Sequence, residues 1–269
     1  ALYRAFWEDA LAHANDPTVR AAAERTLSRM NAKQSLEAED VAPIAYLATR
    51  LLPLKRIDMR HVVIDEAQDF NPFEISLLSD LMPAATFTIV GDLMQGIHGW
   101  RGLHSWDELN GILKGTCARH ELITSYRSTV EIMDTALTVA RNRPVAGQTE
   151  ARAVIRHGEA PVFLPFSGED EQAQKIADLI DEWMKAGMRV ICVIERYASR
   201  AGALAARLPA RLNARVLNTE DTEYTGGVYV APASAVKGLE FDGVIFADAG
   251  ESAYPDDDLN ARLLYVGLT

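Results

Sequence analysis

Cysteine is scarce: Cys117 and Cys192 are the only two in 269 residues, far apart and without metal-ligand spacing. That pattern excludes a disulfide framework and a structural zinc site, so a reduced, cytoplasmic setting is the expectation. No apolar run approaches the roughly 20 residues that a membrane span requires. No charged, apolar, small-residue leader pattern opens the chain either. Basic residues are in deficit, with 27 Lys and Arg against 38 Asp and Glu and a formal net charge of −11. Nucleic-acid binding usually leaves a basic footprint, because phosphate neutralisation dominates affinity. Here the densest basic pairs are Lys55-Arg56 and Arg141/Arg143. A local basic groove remains compatible with this balance, but weak DNA binding by the chain alone is expected. Apolar residues make up 48% of the chain, enough to build the core of one large domain or two of ordinary size.

The most informative segment is Val62-Val63-Ile64-Asp65-Glu66-Ala67-Gln68-Asp69. A short Val/Ile run bounded by polar sequence predicts a fully buried parallel strand. Carboxylates at its C-terminal end stand where open α/β sheets bind ligands. Two adjacent acids there suit one metal-holding group and one general base beside a bound phosphate, although Asp and Glu also begin ordinary turns. Asn71-Pro72-Phe73-Glu74 follows as a helix start, with Asn at the cap, Pro first and Glu third. That places the carboxylates on a strand-to-helix loop.

Further segments carry chemistry in a fixed order. Thr86-Phe87-Thr88-Ile89-Val90 predicts a second strand running into Gly91-Asp92, Gln95, Gly96, His98, Gly99, Trp100, Arg101 and Gly102. Glycines there allow a loop to approach a ligand closely. Ser125-Tyr126-Arg127-Ser128-Thr129 sets an aromatic beside a guanidinium at the start of a helical pattern. Lys237-Gly238-Leu239-Glu240-Phe241-Asp242 leads into the apolar run Val244-Ile245-Phe246-Ala247, and the sequence closes on Arg262-Leu263-Leu264-Tyr265-Val266-Gly267-Leu268-Thr269.

Taken together, these segments resemble the UvrD/Rep-like superfamily 1 helicases, which couple nucleotide hydrolysis to movement along single-stranded nucleic acid. Asp65-Glu66-Ala67-Gln68-Asp69 looks like their Walker B motif, and Gly91-Asp92 to Gly102 like the motif after it. Tyr126-Arg127-Ser128 looks like the fourth motif, Lys237 to Phe241 like the fifth and Leu264 to Thr269 like the start of the sixth. The resemblance runs from about residue 60 to the last, with lower specificity between 140 and 225. Its finer placement is nearest the DNA helicase IV group, which includes relatives acting on RNA polymerase.

The resemblance implies two RecA-like parallel-sheet α/β cores of P-loop type, the first incomplete, behind an N-terminal helical segment. The expected divisions are residues 1–60 for that segment, 61–120 for the Walker B side of the first core and 121–269 for the second core. It implies ATP and Mg²⁺ as cofactors. Asp65 would hold the metal, Glu66 would polarise the attacking water and Gln95 would sense the γ-phosphate. Arg127 would neutralise that phosphate, as a planar guanidinium does well. Tyr126 would stack on adenine, Glu240 would accept from the ribose, and Gly238 lies in the same nucleotide-binding motif. Trp100 would stack on a nucleic-acid base, and His98 could touch one. Each has a plainer reading: Trp100 as packing, Arg127 as a surface arginine, Glu240 as a loop cap and His98 as a satisfied loop histidine. The implied activity is ATP-dependent DNA helicase or translocase, acting as a monomer on single-stranded DNA. An ATPase remodelling RNA polymerase and a non-catalytic interaction module are the alternatives.

Departures from the family pattern bear on activity. No Gly-x-x-x-x-Gly-Lys-Ser/Thr occurs, so the Walker A loop that cradles β- and γ-phosphates is missing. Relatives also continue past the position of Thr269 with a finger arginine. The expectation is a truncated motor that is inactive by itself. Pro232-Ala233-Ser234-Ala235-Val236 stands where relatives carry a DNA-contacting histidine. The stretch between Arg127 and Lys237 is too short for the large accessory domain many such helicases insert there.

Periodicity fills in the remainder. Leu2, Phe6, Trp7, Ala10 and Leu11 predict a first helix, and Asp16-Pro17-Thr18 ends it and starts another. Val41, Ile44, Leu47, Leu51 and Leu52 predict a packed helix over roughly 40–54. Residues 140–160 read as irregular connection, 169–185 as a helix, 189–194 as a buried strand, and the next stretch as a helix through about Leu208. This alternation predicts a second parallel α/β layer.

Overall fold

The computed structural model describes residues 2–33, 36–53, 56–97, 102–113, 115, 117–144, 150–217 and 225–269. The chain forms two compact units. One comprises Ala1–Asp65, Phe70–Ile89 and Leu109–Thr116, and the other Glu66–Asp69, Val90–Glu108 and Cys117–Thr269.

The first unit opens with helices α1 (Leu2–His13), α2 (Pro17–Lys33) and α3 (Ala38–Leu51). Asp16 starts α2 as its sequence suggests: its carboxylate accepts from the Thr18 N–H at 2.7 Å and the Thr18 hydroxyl at 2.5 Å. Buried Asp40 joins the three helices. It accepts from the Tyr3 hydroxyl at 2.7 Å, the Arg29 guanidinium at 2.7 and 2.8 Å, and the Glu37 N–H at 2.9 Å. The helix predicted near 40–54 is present, but Val41, Leu51 and Leu52 of that stretch are exposed. The apolar stripe is therefore only partly packed within this unit.

Strand β1 (His61–Ile64) pairs in parallel with β2 (Thr86–Ile89), with His61 opposite Thr86 and Ile64 opposite Ile89. Helix α4 (Pro72–Leu81) makes the crossover. Its capping box is complete: Asn71 Oδ1 accepts from the Glu74 N–H at 2.9 Å, and Glu74 Oε2 accepts from the Asn71 N–H at 3.0 Å. The expectation of a fully buried β1 needs correction. Among the described residues its sheet has two strands, and only Ile64 is buried while Val63 is 63% exposed. A two-stranded ribbon leaves each strand with an open edge and little cover on its faces.

The second unit holds β3 (Thr124–Ser125), α5 (Val130–Asn142), β4 (Arg152–Ala153), α6 (Glu169–Lys185), β5 (Val190–Glu195), α7 (Ala198–Arg207), β6 (Arg215–Val216), β7 (Gly227–Pro232), β8 (Gly243–Phe246) and α8 (Asp258–Leu268). β3 and β4 form a short parallel pair. The main sheet has the order β6-β7-β5-β8, all parallel, so the second α/β layer is present. Parallel strands need covered faces, and the sequence supplies cover on both. Ile191 and Val193 pack with Val228, Val230 and the apolar sides of α6 and α7. Cys192 and Ile194 pack oppositely with Tyr229, Ala231, Tyr254 and Leu263 of α8. Gly267 lets α8 approach the sheet, since a Cβ there would lie 2.5 Å from Phe246 Cζ. Strand order reverses around β5, the kind of switch point beside which α/β sheets bind ligands.

Candidate functional site

β1 delivers Asp65 as the last residue of the first unit's opening segment. The next four residues belong to the second unit, where several of the candidate side chains meet. Glu66 has φ +52°, a left-handed conformation that an ordinary residue adopts at a cost of order 1–3 kcal/mol. Ala67–Asp69 then form a single 3-10 turn, closed by the Asp69 N–H donating to the Glu66 carbonyl at 2.9 Å. The strained residue is thus the one expected to activate water.

Gln68 explains how that loop is held. Its side chain is fully buried, with Nε2 donating to Glu66 Oε2 at 2.5 Å and Oε1 accepting from the Asp92 N–H at 3.0 Å. The Asp92 carboxylate accepts in turn from the Met94 N–H at 2.9 Å and from Gln95 Nε2 at 3.2 Å. Glu66 and Gln95, predicted from separate motifs, are therefore joined by a hydrogen-bonded chain through Gln68 and Asp92. Gly91 is required by close approach: a Cβ there would lie 2.4 Å from Gln68 Oε1 and 2.9 Å from the Ala67 nitrogen. The Ala67 N–H also donates to the Val90 carbonyl at 2.9 Å.

α8 fixes the other end of the Gln95 loop. Arg262 donates to the Gly96 carbonyl at 2.9 Å, and buried Tyr265 packs with Met94 and Ala136. Burial, helped by the nearby Asp92 charge, pushes the Tyr265 hydroxyl well above the ordinary phenol range, so it stays neutral.

The loop after β7 supplies the remaining charges. Lys237 is 11% exposed, with its ammonium 2.7 Å from Asp69 Oδ2 and 3.4 Å from Glu66 Oε2. Gly238 takes φ +76°, which a β-carbon would strain. Two residues on, the Glu240 carboxylate lies 3.0 Å from the Arg127 guanidinium, both groups half or more exposed. Asp242 anchors the loop, accepting from the N–H groups of Arg189 at 2.7 Å and Val190 at 2.9 Å at the start of β5. Those backbone bonds hold its carboxyl below the ordinary range. Tyr126 presents a ring that is 75% exposed. Thr129 caps α5 just beyond, and Arg156 donates to the Arg127 carbonyl at 2.7 Å.

Within the second unit, then, Glu66 and Gln95 are linked through bridging residues, whereas Arg127 and Glu240 pair directly, next in sequence to Tyr126 and near Gly238. The 237–240 loop touches both pairs. Trp100 and His98 lie outside the described residues. Sequence reasoning passed over Gln68, Asp69, Asp92, Lys237 and Arg262 as working side chains. The amide between two acids in Glu66-Ala67-Gln68-Asp69 was the available signal for Gln68; nothing local marks Lys237 as its neighbours' counter-charge.

The molecule is a mixed α/β protein with parallel sheets and charged loops beyond the strand ends. Two segments match helicase domain families. Residues 8–105 match the UvrD/REP helicase N-terminal domain, and residues 227–269 match the UvrD-like helicase C-terminal domain. Over these two segments the chain is similar to UvrD/REP-type N-terminal and UvrD-like C-terminal helicase domains, and it is similar to DNA helicase II and Rep. It is 30% identical over 141 residues to DNA helicase II of Haemophilus influenzae, covering 51% of this chain and 19% of the relative. It is 26% identical over 122 residues to the ATP-dependent DNA helicase Rep of Escherichia coli K12, covering 44% and 18%. The chain therefore spans about a fifth of the length of these relatives. A crystal structure of the C-terminal domain of a possible DNA helicase from a Lactobacillus (strain WCFS1) matches 53% of this chain and 80% of that one. Its sequence identity is 26% and its TM-score 0.41. Among the described residues no helix is long and apolar enough to cross a membrane.

Proposed function

We propose that this chain is part of an ATP-dependent DNA helicase or translocase motor of the UvrD type, with ATP and Mg²⁺ as cofactors and single-stranded DNA as its track. The observation that carries this reading is the bonded chain Glu66–Gln68–Asp92–Gln95, which links a strained acid to the amide of a separate motif. Such a link suits a carboxylate that takes a proton from water while a neighbouring amide orients the phosphate end. Glu66 is half-exposed, so water reaches it.

The residues fit parts of a nucleotide. Tyr126 offers an exposed ring for the base, Arg127 a guanidinium for the terminal phosphate and Glu240 an acceptor for the sugar. Asp65 suits Mg²⁺, an ion that takes one or two carboxylates and brings its other ligands as phosphate oxygens and water. When bound, the metal would neutralise charge on the phosphates. Gly238 lets its loop turn tightly beside the Glu240 carboxylate. The chain holds no glycine-rich loop with a following lysine to cradle the β- and γ-phosphates. That loop carries much of the electrostatic stabilisation of phosphoryl transfer, so this polypeptide alone does not turn over ATP.

The test is the ATPase rate of the intact gene product with and without single-stranded DNA, beside Glu66→Gln. DNA-stimulated turnover that disappears in the mutant supports the motor; turnover by the isolated 269-residue chain above its own Glu66→Gln control overturns the inactivity. A second reading, an ATPase that remodels RNA polymerase, is favoured by the net charge of −11 and the short stretch between Arg127 and Lys237. It predicts stimulation by polymerase and indifference to DNA. A non-catalytic interaction module predicts no turnover under any condition.

A further inference from the structure

We propose that Lys237 is a positioning residue for Glu66: anchored by Asp69, its ammonium sets the Glu66 carboxylate and ties it to the 237–240 loop. The proposal rests on the hydrolase reading above and goes beyond it, because it assigns a task to a side chain outside those read as meeting nucleotide or DNA.

Three observations carry it. First, Glu66 cannot be fixed by regular secondary structure, since its backbone is left-handed. Its orientation must come from side-chain partners, and two donors meet the same oxygen: Gln68 Nε2 at 2.5 Å and Lys237 Nζ at 3.4 Å. Second, Lys237 is held chiefly by Asp69, at 2.7 Å, and so stands off Glu66 instead of capping it. Asp69 Oδ1 is buried without a hydrogen-bond partner among the described residues. A carboxylate so placed needs a counter-charge, and Lys237, itself only 11% exposed, provides it. Third, Lys237 begins a loop whose fourth residue, Glu240, pairs with Arg127 at 3.0 Å and whose sixth, Asp242, is pinned to the start of β5. Between Lys237 and Glu240, Gly238 turns at φ +76°. A ligand that draws Arg127 from Glu240 would therefore disturb a loop whose other end bears on Glu66. Lys237 is the mechanical link between the arginine that meets the ligand and the acid that meets the water.

Steady-state ATPase kinetics on the intact gene product test this with Lys237→Met, Lys237→Arg, Asp69→Asn and the Asp69→Asn/Lys237→Met double variant. Lys237→Met is expected to lower kcat by about 10–100-fold while KM for ATP moves less than about threefold, as for a misplaced group used in the transition state. Lys237→Arg, which keeps the charge, is expected to restore most of kcat. Asp69→Asn is expected to lower kcat too and to add nothing in the Lys237→Met background, because the two act as one unit. An unchanged kcat in Lys237→Met, a change confined to KM, or additive losses would overturn the proposal. If Lys237→Met melts below the assay temperature, Lys237→Arg and Asp69→Asn decide by the same criteria. An inactive wild type sinks the hydrolase reading and this role with it, whereas an active wild type beside an equally active Lys237→Met sinks the role alone.

Discussion

At the scale of single residues, the site is built from positions that ordinary propensity would avoid. Glu66 occupies a left-handed conformation, and Gly91 exists because nothing larger fits against Gln68 and the Ala67 nitrogen. Gly91→Ala should therefore destabilise the second unit by about 1–3 kcal/mol, the usual range for overpacking. It should also displace Gln68 from Glu66, since the side-chain amide is the easier atom to move. Thermal melts of wild type and variant check this, and an unchanged midpoint would show that the loop relaxes freely. The cysteines give a second residue-scale prediction. Burial pushes the Cys192 thiol up to about 12, whereas Cys117 is exposed. A thiol reagent at neutral pH should modify Cys117 promptly and Cys192 only in denaturant, because the thiolate is the reactive form. Prompt reaction of both would mean that the β5 core opens under native conditions. The candidate acids Asp65 and Glu66 stand out in the sequence because they sit beside a strand-like run. The partners Gln68 and Lys237 do not, because their roles depend on folding distant segments together.

At the scale of elements, starts and stops were legible where one residue type has one physical use. Asn71-Pro72-Phe73-Glu74 predicted a capped helix, and both capping-box bonds are present. Asn71→Ala should cost about 1 kcal/mol of stability, whereas Asn71→Asp should cost little; equal losses in denaturant titrations would show that the cap is idle. Burial was less legible. The Val62–Ile64 run reads as buried on hydropathy alone, yet Val63 is largely exposed, because cover depends on neighbouring strands that periodicity does not report. The Asp40 cluster makes a pH prediction for the three N-terminal helices. Burial tends to raise the Asp40 pKa, but bonds from the Glu37 N–H, the Tyr3 hydroxyl and Arg29 outweigh it and hold the carboxyl below its ordinary 3.8. A depressed folded value means the unfolded chain binds the proton more readily. The contribution is therefore complete above about pH 4 and drains away as pH falls through the folded value. Helix content of the first unit should fall in that window, and Asp40→Asn should flatten the dependence while lowering stability at neutral pH. Circular dichroism against pH reads both, and identical profiles for the two proteins would remove Asp40 as the cause.

At the scale of the whole molecule, the sequence displayed the order of motifs but not their traffic. Five short segments pointed to a UvrD-type reading, and two helicase domain families match the chain at residues 8–105 and 227–269. The local patterns left open that Glu66–Asp69 would share a compact unit with Lys237, because strand and helix periods carry no information about which distant loops meet. Charge is the property that belongs to this scale alone. A net charge of −11 opposes approach to a phosphate backbone, while the proposed track is single-stranded DNA. Binding by this chain should accordingly be weak and strongly dependent on salt. Fluorescence anisotropy with a labelled oligonucleotide should detect an association at about 0.05 M salt that is lost by about 0.2 M, the behaviour expected of a few phosphate contacts. Tight binding that persists at the higher salt would mean that a base-stacking surface, not phosphate neutralisation, governs recognition of the strand.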